Sequence, residues 1–126
     1  MLASLRVERR PGVFSVVSVD ETSVAPGDLR ALEEVAVATL REAEGRTFVV
    51  PEEFAHDAAL SSMFDGAWLT LSVWSALDSV GLTSAVSSAL AANGIACNVF
   101  AGAFHDHLLV PVDQAERAIS VLQPRR

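Results

Sequence analysis

His105 and His107 stand two residues apart with Asp106 between them, so on an extended strand both rings point to the same side. Two imidazoles and a nearby carboxylate are the ingredients of a metal site, but zinc and similar ions want three or four protein ligands. His56 is the one further imidazole in the chain. The pair is therefore expected to serve a hairpin, an interface or a ligand surface, with no metal and no cofactor. Cys97 is the single thiol, which excludes an internal disulfide and a thiolate metal cluster. It reads as a small buried apolar residue. Asp78 and Ser79 precede a run with helical spacing, where a side-chain oxygen can accept the first free amides of a helix.

Other chemistry is excluded by what the chain lacks. All nine basic residues are arginine, so neither a lysine Schiff base nor the lysine of a phosphate-binding loop is available. The seven glycines never form Gly-x-Gly, and neither Gly-x-Ser-x-Gly nor His-Glu-x-x-His occurs. A formal charge of −7 opposes nucleic acid. In 126 residues, 51% of them hydrophobic, there is material for a core, yet no run reaches the roughly 20 apolar residues of a membrane helix. With no secretory signal in Met1 to Arg10, a cytoplasmic protein is expected.

The elements that must position these residues are clearest in the second half. From Ala67 to Ser75, Leu69, Leu71 and Val73 alternate with Trp68, Thr70, Ser72 and Trp74, which predicts a strand. Leu82, Ala85, Val86, Ala89 and Leu90 predict an amphipathic helix that Asn93 and Gly94 stop. Ile95 to Ala103 and His107 to Val112 predict a strand hairpin, and Asp113 with Glu116 predicts a capping pair at the start of a last helix. The half reads βαββα.

In the first half, Leu5 to Arg9 and Phe14 to Val19 predict a hairpin or bent strand around Pro11 and Gly12. Asp28 to Glu34 suits a short helical turn, while Val35, Val37 and Thr39 favour a strand over Val35 to Glu42, paired through Glu44 and Gly45 with Arg46 to Val50. A short helix is expected over Glu53 to Leu60, and Phe64 to Gly66 as the loop between the halves. With helices on one face of the sheet, that face takes Leu69, Leu71, Val73, Cys97, Val99, Ala101, Leu108, Val110 and Val112. The opposite face takes Trp68, Thr70, Ser72, Trp74, Asn98, Phe100, His105 and His107, a mixture of aromatic and hydrogen-bonding groups suited to an interface or a ligand.

Ser75-Ala76-Leu77-Asp78-Ser79-Val80-Gly81-Leu82-Thr83, Gly94-Ile95, Asn98-Val99, Ala101-Gly102, His105-Asp106-His107 and Val110-Pro111 resemble bacterial ACT-domain proteins with two ACT-like subdomains. Arg41-Glu42-Ala43-Glu44-Gly45 also looks like that family, whereas Trp74, Ala103 and Phe104 replace more polar residues expected there. The resemblance implies an α+β fold of the ferredoxin-like βαββαβ type, with an antiparallel sheet and helices on one face, in subdomains 1–65 and 66–126. It implies a module without catalytic activity that binds an amino-acid-like ligand and forms a homodimer. Asp78, Ser79, Val80, Gly81 and Leu82 would then meet the ligand, with Asn98 on the adjacent strand and His105 and His107 nearby. Free amides at a helix start favour a carboxylate, and Gly81 permits close approach. An assembly module with no ligand, and a metal-dependent enzyme using the histidines, are the competing readings.

Overall fold

The computed structural model describes residues 5–72 and 81–123. The chain forms two compact units, one of Gly12–Gly66 and one that joins the segment ending at Pro11 to the chain from Ala67 onward. Among the described residues no helix is long and apolar enough to cross a membrane.

The Gly12–Gly66 unit contains β2 (Phe14–Val19), α1 (Pro26–Val35), β3 (Ala38–Glu42), β4 (Gly45–Pro51), α2 (Glu52–Asp57) and the first residues of β5 (Phe64–Ser72); β1 (Arg6–Arg9) belongs to the other unit. Its strands are antiparallel, with β4 between β3 and β2, and Phe14, Ser15 and Val16 of β2 paired with Gly66, Asp65 and Phe64. That is the βαββαβ order of a ferredoxin-like unit. Val17, Val19, Phe48 and Val50 pack under Leu32 and Ala55 of the helices.

Two expectations change here. Phe64 to Gly66 is the start of a strand rather than a loop, because its backbone completes the edge of β2. The helix before β3 is longer than a turn: Pro26 presets its first φ, and Leu29, Leu32 and Val35 all pack on the core, so burial outweighs the β-preference of Val35. The predicted hairpin of β3 and β4 is present, pairing Glu42 with Gly45.

The second unit contains β1, the rest of β5, α3 (Leu82–Ala92), β6 (Asn98–Ala101), β7 (Asp106–Val110), a short 3-10 helix (Val112–Gln114) and α4 (Ala115–Leu122). Among the described residues, the segment after Gly66 supplies three strands, β5, β6 and β7. The fourth is β1, antiparallel to β5 from Arg6 opposite Ser72 to Arg9 opposite Leu69. The expected hairpin of Leu5 to Arg9 with Phe14 to Val19 therefore does not form. The strand order β1, β5, β7, β6 is again ferredoxin-like, with its last position filled by the chain's first strand.

Leu69, Leu71, Leu108 and Val110 face Leu82, Val86, Leu90, Ala115, Ala118 and Leu122 of the two helices, and Leu5 is buried in the same core. Cys97, expected to be buried, is only partly so and packs at the core's margin; burial raises its thiol pKa. Val99 and Ala101, expected under the helices, are exposed, because β6 is the edge strand and the helix layer does not reach it. Val112 is in the 3-10 helix rather than a strand. That turn shifts the N-cap of α4 to Gln114, so the predicted Asp113 cap makes no bond.

Candidate functional site

The face of the second unit's sheet opposite α3 and α4 carries the polar and aromatic groups. Pairing of Thr70 with His107, and of His107 with Phe100, puts three strands' side chains in one row; Glu8 of β1 extends it beside Thr70. Arg6 stands opposite Ser72 in the next row. Thr70 Oγ1 lies 3.0 Å from His107 Nδ1, and Ser72 Oγ lies 3.2 Å from His105 Nδ1. Each ring is thus tied to a hydroxyl of β5. Trp68, itself buried, stacks on His107 at 5.1 Å and lies 5.2 Å from Phe100. The two imidazole centres are 6.4 Å apart, edge to face. Burial lowers the His107 pKa below the usual imidazole value, the neighbouring His105 lowers it further, and Asp106 opposes both.

The turn joining β6 and β7 presses against this cluster. Gly102 donates its amide to the His105 carbonyl at 2.9 Å, and a Cβ on Gly102 would stand 2.9 Å from that oxygen and 3.4 Å from His107 Nε2. A side chain there would crowd both, so glycine is required by space. Phe104, at the tip of the turn, is 90% exposed. Among the described residues, no three His, Cys, Asp or Glu side chains converge as a metal cluster.

At the start of α3 the backbone is held by Gly81, whose φ of 110° is a left-handed conformation costly for other residues. The N-cap is Gly81 itself, which has no side chain to offer the first amides. Asp78, Ser79 and Val80, the expected capping and ligand-meeting residues, lie outside the described residues, as do Val73 and Trp74. The stop of α3 is as expected: the Gly94 amide bonds to the Ala91 carbonyl at 3.0 Å and the Ile95 amide to Leu90 at 2.9 Å, with Gly94 at φ 70°.

Both halves carry the signature of one family. The ACT domain matches residues 1–65 and, in a second form, residues 64–124. The chain belongs to the ACT domain family. It is a tandem of two ACT-like units with the ferredoxin-like fold. A Vibrio cholerae protein of unknown function, a possible transport protein, is 38% identical, with a TM-score of 0.83 over 96% of this chain and 89% of that one. An Agrobacterium tumefaciens protein shares the fold at 19% identity, TM-score 0.66, over 94% and 86% of the two chains. So does the ligand-free regulatory subunit of aspartate kinase from Thermus thermophilus, at 15% identity and TM-score 0.65, over 92% of each. No protein of curated function matches the sequence.

Of the expected site residues, this ACT tandem places His105 and His107 together, with Asn98 exposed on β6 of the same unit opposite Leu109. Gly81 and Leu82 lie in the sequence between β5 and β6, where α3 begins. Thr70 and Ser72 are the contributors that sequence reasoning left without a role. Their period-two spacing puts them on the histidine face, but only the register of β5 against β7 makes them the histidines' partners.

Proposed function

We propose that the chain is a non-catalytic regulatory ACT module that binds an amino-acid-like small molecule in the cytoplasm and acts as a homodimer. The observation that carries this reading is the left-handed Gly81 at the N-terminus of α3. The first amides of a helix have no intrahelical acceptor, and they carry the positive end of its dipole. With a glycine at the cap, a carboxylate can approach them without meeting a Cβ. In this reading Asp78, Ser79, Val80, Gly81 and Leu82 receive the carboxylate end of the ligand. Asn98 supplies an amide that donates to a carboxylate or accepts from an ammonium group. His105 and His107 help to select the rest of the molecule.

Thermal melting of the protein against each amino acid at millimolar concentration tests the reading. A ligand that binds only the folded state raises the melting temperature by mass action. At least one amino acid is expected to do so, and a folded Asn98→Ala variant is expected to lose the response. Uniformly flat melting curves confirmed by calorimetry would reject ligand binding and leave the competing reading, a module that only assembles. The uncharged, exposed edge of β6 favours that second reading.

A further inference from the structure

We infer that His105 and His107, beyond the selecting role proposed for them above, form a two-histidine site for a borderline divalent cation such as Zn²⁺, Ni²⁺ or Cu²⁺. The sequence alone shows only two imidazoles at a spacing that allows a shared face. The structure adds how they are held. Each Nδ1 is engaged by a hydroxyl from the neighbouring strand, Thr70 for His107 and Ser72 for His105. When Nδ1–H donates to the hydroxyl oxygen, the lone pair is on Nε2, the arrangement in which a second group orients a metal-binding imidazole. Neither Nε2 makes a hydrogen bond within the described residues, and a Cβ on Gly102 would stand 3.4 Å from that of His107, so glycine crowds this nitrogen less than any other residue would.

The ring separation is close to that of two imidazoles sharing one ion. A tetrahedral ion bound to two Nε2 atoms at about 2.1 Å sets the ring centres roughly 5 Å apart. The rings are now 6.4 Å apart. Closing that difference requires rotation of the two side chains about their own torsions, the outer of which is soft for histidine. Imidazole nitrogen selects zinc, nickel and copper over magnesium or calcium, which require oxygen. Arg6 and Glu8, in register with Ser72 and Thr70, offset each other in charge, so nitrogen donors rather than bulk field set the preference. No third His, Cys, Asp or Glu joins them among the described residues. Water completes the shell, and the ion is exchangeable.

Titration of the tag-free, metal-stripped full chain with ZnCl₂ by calorimetry tests the assignment. One ion per chain is expected, with binding lost in the His105→Gln/His107→Gln double variant and unchanged in His56→Gln. Thr70→Val, which removes only the orienting hydroxyl, is expected to weaken the ion by about tenfold. Paramagnetic Cu²⁺ added to the unaltered protein gives a readout that needs no variant: it should broaden the ring resonances of His105 and His107 at ratios that leave His56 sharp. Zinc binding that survives the double variant, equal broadening of all three histidines, or no binding of any of the three ions would overturn the site.

Discussion

His107 lies between a tryptophan face and a second imidazole, and that surrounding sets a direction for its response to pH. Burial and His105 hold its folded pKa below the ordinary imidazole value. The unfolded chain, with an ordinary histidine, therefore binds the proton more readily. Stability from this group is complete above about pH 6.5 and is lost as the pH falls toward the lowered folded value. Melting of the unaltered protein in metal-free buffer should fall more steeply from pH 7 to pH 5 than that of a His107→Gln variant; parallel curves would refute the assignment. Gly94 gives a second test at this scale. Its φ of 70° closes α3, so Gly94→Ala should cost about 1 kcal/mol in urea unfolding. The stop at Asn93 and Gly94 was legible because helix ends are written in local residue types. The hydroxyl partners of the histidines were not, since Thr70 meets His107 only through strand register.

Pairing of β1 with β5 is the feature that local reading could not reach. Arg6 and Ser72 face each other although about half of the chain lies between them in sequence, and no residue type near Pro11 and Gly12 signals that the strand leaves its sequence neighbour. The turn signal there was real, but it marks the passage from one unit to the other rather than a hairpin. Helix α3, the β6–β7 hairpin and the β3–β4 hairpin were legible because each is specified within its own segment. Unlike them, β1 acts on a core made by distant residues. Leu5, just before it, is 2% exposed and packs with Leu71, Leu108 and Leu122. Leu5→Ala should therefore destabilise by about 2–4 kcal/mol, a core-sized effect from a position near the chain start. A change below about 0.5 kcal/mol, the scale of a surface substitution, would mean that β1 does not hold this core.

At the scale of the whole molecule, the two ACT units leave strand edges that differ in chemistry. The outer strand β3 carries Arg41 and Glu42, and β1 carries Arg6, Glu8 and Arg9, charges that discourage pairing with another chain. From Ile95 to Phe104, by contrast, there is neither a charge nor a proline, and Val99, Ala101 and Phe104 are exposed. Among the described residues β6 is bonded to β7 on one side only. Two copies meeting at this strand about a two-fold axis would satisfy its free amides and carbonyls and cover those side chains together. The formal charge of −7 on each copy works against that contact. Light scattering should therefore show a dimer at high micromolar concentration, tightened by salt because screening reduces the repulsion. Val99→Lys adds a charge to the unguarded edge and should shift the equilibrium to monomer without lowering the melting temperature measured on dilute protein. If the unaltered chain remains a monomer at both low and high salt, the edge is not a self-association surface. A dimer that ignores Val99→Lys would place the contact on another part of the molecule.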